Sequence, residues 1–277
     1  MNQTEPGKSA DLILPIRVKP WMVVVGVAVF LAAMVEIQFS VPSWQFFYGL
    51  LRGPLKFLDS TITTANEFVA ELTIIVIIIV TWIHQPRLRH TIAPYLLALL
   101  ISSTIVNVTK VIVGRARPHH GAQMDDTERR EVEEYLKTHD NPVLKPERGD
   151  YWLFFSKDRP GVEFLSWFTG DRKMMDRRKT MTTGDYSSFP SGHATSAFLL
   201  ALYLSIIYPR ARRLWYVLAV CTALFRIRDQ MHYPGDVIAG ASIGWLTGLA
   251  IFSREWAVRF GFSVQRKLEK ILGSNKS

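Results

Sequence analysis

The chain has 277 residues, a formal net charge of +9 and 48% hydrophobic residues. Its length suits one large domain or two small ones, but the apolar residues are gathered into runs, several of which approach the roughly 17–25 residues a bilayer-spanning helix needs. This patterning excludes an ordinary soluble globule, and the basic surplus lies at the ends of apolar runs and in the tail, which favours anionic lipid headgroups over nucleic acid as partner. Cys221 is the single cysteine, so no internal disulfide forms, and it lies in an apolar run where it packs as a small hydrophobe.

In chain order, a polar start carrying Lys8, Arg17 and Lys19 leads into an apolar run from Trp21 to Phe39, read as a retained first span rather than a cleaved signal sequence. Residues 40–67 are expected to be a loop, with Trp44, Phe46, Phe47 and Tyr48 suited to a membrane interface. A second span runs over 68–83 and a third over 92–113, separated by a basic turn with Arg87 and Arg89. From Gly114 to Ser188 the composition turns charged, aromatic and proline-containing, which reads as a water-exposed insertion with a short surface helix over 125–139. A fourth span covers 191–208, a fifth 214–225 and a sixth 237–252. The tail over 254–277 is basic and amphipathic, suited to lying along a membrane surface.

Six spans place both termini on one face. The N-terminal tail, the Arg87/Arg89 turn, the Arg210 to Arg213 turn and the C-terminal tail all fall there, and all are basic, so that face is cytoplasmic. Long segments cross membranes largely regardless of charge, so the insertion and the ends of the third to sixth spans share the extracytoplasmic face.

Three polar segments meet on that face. In K-V-I-V-G-R-A-R-P, Lys110 and Arg117 are seven residues apart, about two turns, so a continuing helix puts both cations near one face, with Arg115 beside them. A lone lysine at a helix end often just snorkels, but clustered ionisable groups within a span are costly and point to an anion site. In F-P-S-G-H, Ser191 and Gly192 open the fourth span. The unpaired N–H groups of a helix start and the close approach glycine permits make a phosphate cradle, although Ser191 can equally cap the helix. In R-I-R-D-Q-M-H-Y-P-G-D, Pro234 suits the first turn of the sixth span, leaving His232 just before it and Asp236 inside it. A carboxylate so placed can hold one ring nitrogen and free the other to attack.

That inventory suits phosphoryl transfer through a phosphohistidine. Lys110, Arg117 and Arg226 balance charge on the equatorial oxygens, His232 attacks phosphorus, and His193 gives a proton to the leaving oxygen and then activates water. No metal or other cofactor is required, because the carboxylates of a two-metal site are missing from these segments.

With K-x6-R-P at Lys110, Arg117 and Pro118, P-S-G-H at Pro190, Ser191, Gly192 and His193, and R-x5-H-x3-D at Arg226, His232 and Asp236, the sequence resembles the type 2 phosphatidic acid phosphatase (PAP2) superfamily. The resemblance covers the third to the sixth span. It implies an all-α membrane helix bundle, here of six spans, metal-independent phosphoesterase activity, and the same roles for the two histidines and the cations. Two features depart from the family pattern. Phe225 stands where the family has serine before the arginine, and the stretch between Pro118 and Pro190 is longer than usual, which reads as a lid-like or headgroup-selecting subdomain over 119–188, with a decorative insertion as the alternative. Arg228 and Asp229 are expected to pair with each other at the surface.

The expected function is therefore hydrolysis of a lipid mono- or diphosphate, in a bacterial inner membrane with a periplasmic site. Undecaprenyl diphosphate, phosphatidylglycerol phosphate and phosphatidic acid are all admissible substrates. A phosphotransferase handing the group to a lipid or sugar acceptor, and an inactive binder of anionic lipid, are the competing readings. The sequence carries no signal for oligomeric state.

Overall fold

The computed structural model describes residues 15–36, 39–66, 71–113, 115, 117–118 and 187–274. Among these residues the regular structure is helical, with no strand. The helices are α1 (Pro20–Glu36), α2 (Ser40–Arg52), α3 (Asp59–Asn66), α4 (Glu71–His84), α5 (Arg89–Val113), α6 (Gly192–Ile207), α7 (Arg212–Arg228), α8 (Pro234–Phe252) and α9 (Glu255–Ser274). The expected surface helix over 125–139 and nearly all of the insertion lie outside the described residues.

Two segments are long and apolar enough to cross a membrane, Pro86–Lys110 and Pro234–Phe252, and Pro20–Glu36, Thr73–His84 and Gly192–Ile207 are shorter apolar helices. The apolar residues of α1 and α4 face outward in quantity: Val24, Leu31, Val35, Ile75, Ile79 and Ile83 are all exposed. Inside α5, the hydroxyls of Ser102, Thr104 and Thr109 donate back to the carbonyls of Leu99, Leu100 and Ile105, which satisfies them without leaving the helix.

Residues 40–66, expected as a loop, instead form α2 and α3. The reason is tertiary. Trp44 is buried in a cluster with Ala194, Ala223, Ile227, Tyr233 and Val237, and Phe47 and Tyr48 pack against the same cluster, so the aromatics gain partners on α6, α7 and α8 that a loop reading does not supply. Gly53 ends α2, its N–H donating to Gly49 O at 2.8 Å.

Helix α6 is the centre of the bundle, packed by α5, α7 and α8. Between apolar helices in lipid there is little hydrophobic gain, and close backbone approach through small residues does the work instead. Gly240 and Gly244 of α8 provide it: a Cβ at either would collide with the carbonyl oxygen of Ser191 or of Thr195. The Thr195 hydroxyl sits in this seam and donates to Ser191 O (2.9 Å) and Gly240 O (3.0 Å) alternately.

The two ends of the bundle differ. At one, Ile16 N–H donates to Phe252 O (2.9 Å), Arg89 pairs with Glu269 of α9 (3.1 Å) and His90 stacks on Phe262 at 4.4 Å. At the other, the end of α5, the start of α6, the end of α7 and the start of α8 converge.

Candidate active site

Helix α7 ends at Arg228, and Gln230 takes a left-handed conformation (φ 57°), held by its side-chain amide donating to Tyr48 Oη at 2.9 Å. The hook is tight, because the N–H groups of Met231 and His232 both donate to Arg226 O (3.1 and 3.2 Å). His232 is thereby fastened beneath the backbone of the arginine that precedes it by six residues. Tyr233 then caps α8, Pro234 fills its first turn, and Asp236 lies in that turn, as the sequence predicts.

His232 is 1% exposed. Its Nδ1 meets the carbonyl oxygen of Ser188 at 2.6 Å, so Nδ1 carries the proton and donates, which leaves Nε2 with the free lone pair. Burial pushes the imidazole down to about 4, Asp236 opposes the shift, and the cations Lys110 and Arg226 add to it, so the ring is neutral at pH 7.

Asp236 does not hold the ring directly: its Oδ2 is 3.8 Å from His232 Nδ1, within ion-pair range but beyond a hydrogen bond. Its oxygens are committed elsewhere, to Arg115 Nη1 at 2.5 Å, to the Ser188 hydroxyl and to the Tyr233 N–H at 2.9 Å. The orienting path therefore runs from Asp236 through Ser188 to the ring. Arg115 and Asp236 are both fully buried, and the Arg115 guanidinium also lies over the Tyr233 ring at 4.1 Å.

The sequence places Arg115 beside the cations of an anion site, whereas the structure pairs it with Asp236. Ser188 is the residue the sequence does not single out. Ser188 was assigned to the end of the insertion, yet it is fully buried and supplies the carbonyl that fixes His232. Helix α5 stops at Val113, so Arg117 does not stand two helical turns beyond Lys110. It reaches the same place from irregular chain, its Nη1 against Met231 Sδ (2.7 Å) and its Nη2 on Ser187 Oγ (3.3 Å).

At the start of α6, Ser191 is the N-cap, its hydroxyl accepting from Ala194 N–H at 3.4 Å. Its own N–H donates to Asp236 O at 2.9 Å, which ties α6 to α8. The hydroxyl accepts in this cap, which leaves its own O–H to donate. The N–H groups of Gly192 and His193 are the donors this turn keeps for a ligand. A Cβ added at Gly192 would lie 4.0 Å from Lys110 Nζ, which places the lysine over this helix start. His193 is exposed, and the cations that act on it are Arg226, Lys110 and Arg117.

Arg226 has Asp229 Oδ2 at 4.0 Å and the Phe225 ring at 5.9 Å. Asp229 thus pairs with Arg226, where the sequence suggested Arg228. Phe225 sits near both guanidiniums, Arg228 being 6.0 Å from its ring.

The site thus gathers the expected residues from four helix ends. A family model described as the PAP2 superfamily matches residues 91–260. Among curated relatives, the bacitracin transport permease protein BcrC of Bacillus licheniformis is 38% identical over 66 residues, 24% of this chain and 32% of that protein. A lipid A 1-phosphatase of Rhizobium johnstonii is 35% identical over 72 residues, 25% of this chain and 30% of that protein. A putative phosphatidate phosphatase of Drosophila melanogaster is 26% identical over 171 residues, 57% of this chain and 39% of that protein. The matched stretches span only about a third of the length of these relatives. The family match takes in α5 from its third residue and α6 to α8 whole, and with them every residue of the three motifs that converge on His232: the chain belongs to the PAP2 superfamily.

Proposed function

We propose that this protein is a membrane lipid phosphate phosphatase working through a phosphohistidine on His232. The observation that carries the reading is the convergence of Lys110, Arg117 and Arg226 with the α6 N-terminus around two histidines of opposite character. His232 is buried and neutral, with its proton fixed on Nδ1. His193 is exposed, where a leaving group and water can reach it.

In the first step Nε2 of His232 forms a bond to phosphorus as the phosphorus–oxygen bond to the lipid breaks, and His193 transfers a proton to the departing oxygen. The cations and the N–H groups of Gly192 and His193 hold the equatorial oxygens, where charge is concentrated in the transition state. In the second step His193 takes a proton from water, which attacks phosphorus and releases His232. The scheme uses no metal.

The chain is read as six membrane spans, α1 and α4 to α8, with the site at the extracytoplasmic end and the basic turns at the other. Joining of Arg89, α9 and the N-terminal segment at the end opposite the site supports this sidedness. The substrate is a lipid mono- or diphosphate in the outer leaflet of a bacterial inner membrane, and the α9 tail lies on the cytoplasmic surface. The relatives named for phosphatases of lipid A and of phosphatidate support a lipid-borne phosphate.

The test is phosphate release from a panel of lipid phosphates by purified protein and by His232→Ala. Loss of release with an unchanged melting temperature supports the mechanism, and undiminished turnover in the variant overturns it.

A further inference from the structure

Helix α1 lies outside the region that matches the family, yet its last residue reaches the machinery. Glu36 ends α1, is half-buried, and accepts a hydrogen bond from the Ser43 hydroxyl on Oε1. Its Oε2 is buried, and the Gly235 N–H acts on the carboxyl. That oxygen is pressed against Gly235, in the first turn of α8: a Cβ there would collide with Oε2 and stand 3.1 Å from Ala33 O. The charges acting on Glu36 are those of Arg115 and Asp236. A carboxylate that gives up water to rest against a helix N-terminus is in a favourable field but costly unless it serves the arrangement.

We propose that Glu36 is a positioning residue for His232. Resting on the proposed phosphatase reading, it acts as the stop against which the first turn of α8 is set. Its side chain holds Gly235, and with it the neighbouring Asp236, in place. Asp236 in turn holds Ser188, whose carbonyl keeps the proton on Nδ1 of the ring. The small side at position 235 is what lets the carboxylate in, so Gly235 and Glu36 form one device.

The experiment uses the full-length protein in detergent with Glu36→Gln, which keeps shape and removes charge, and Gly235→Ala, which displaces the carboxylate from the other side. Steady-state kinetics on a lipid phosphate are read together with nitrogen NMR of the histidine rings. Both variants are expected to lose at least about tenfold in kcat with KM within about twofold, the signature of misplaced chemistry rather than lost binding. The His232 signals are expected to move from the pure Nδ1–H form toward a mixture of tautomers, and Glu36→Asp to restore part of both. If Glu36→Gln keeps kcat within about twofold and leaves the ring spectrum unchanged, the proposal is wrong. It is equally wrong if activity and melting temperature fall together while the ring keeps its tautomer, since that marks a merely structural residue. If the wild-type protein releases no phosphate, or His232→Ala releases as much, the phosphatase reading fails, and Glu36 is then judged by the ring spectrum alone.

Discussion

Replacing Arg115 with methionine isolates the element on which the rest of the site hangs. Both Arg115 and Asp236 are fully buried and meet at 2.5 Å, so the substitution leaves Asp236 as an anion whose hydrogen bonds among the described residues come from the Ser188 hydroxyl and the Tyr233 N–H. Breaking one side of a buried pair costs about 3–5 kcal/mol, because the surviving charge keeps its desolvation and loses its partner. For a chain of this size that corresponds to a fall in melting temperature on the order of 10 °C. Tryptophan fluorescence during thermal unfolding in detergent measures it. The double variant Arg115→Met with Asp236→Asn carries neither charge and is expected to regain at least about half of the lost stability, since a neutralised pair escapes the penalty of an orphaned ion. It is not expected to regain phosphate release, because the carboxylate that holds Ser188, and through it His232, has gone. A single variant that costs less than about 1 kcal/mol, or a double variant no more stable than the single, would refute the assignment of Arg115 to Asp236 rather than to substrate.

Burial holds His232 at about 4 against an ordinary value of 6.5, so its ring is expected to stay neutral at pH 5.5 by histidine NMR. With the folded value depressed, the stability it contributes is complete above about pH 6.5 and is lost as pH falls toward 4, where only the unfolded chain is protonated at first. A titration midpoint near 6.5 would contradict the burial of His232. Gly244→Ala drives a methyl group into Thr195 O and is expected to cost about 1–3 kcal/mol and to lower kcat, since it parts the helix bearing His193 from the one bearing Asp236. Unchanged melting and turnover would show that the seam yields freely. Phe225→Leu removes the ring 5.9 Å from the Arg226 guanidinium and is expected to raise KM about two- to fivefold, the equivalent of a cation–π contact of about 0.5–1 kcal/mol. An unchanged KM would mean that Asp229 alone orients Arg226. Treatment with a chelator is expected to leave phosphate release intact, and its loss, restored by adding a divalent metal, would overturn the metal-free mechanism.

What could be read from the sequence was whatever local chemistry dictates. Pro234 with Asp236 two residues on specifies a helix start, and the structure puts α8 there; P-S-G-H specifies another, and Ser191 caps α6. The apolar runs gave α1, α4, α5, α6 and α8 to within a few residues, because periodicity and composition act along the chain. The segment over 40–66 was misread because its helices exist for the sake of distant partners: Trp44 earns its place from Ala194, Ala223 and Tyr233, none of them near it in sequence. The same limit explains the site. Spacing could place His232 and Asp236 four residues apart but could not reveal that the ring proton goes to Ser188, 44 residues upstream, or that Arg115, among several cations in one motif, is the one turned inward to Asp236. A motif records which groups a reaction needs, whereas the allocation of each hydrogen bond depends on which oxygen is already taken. Asp236 meets three donors before it meets the histidine, and that competition, decided by the packing of α5, α6 and α8, converts a direct carboxylate–imidazole contact into a relay through Ser188.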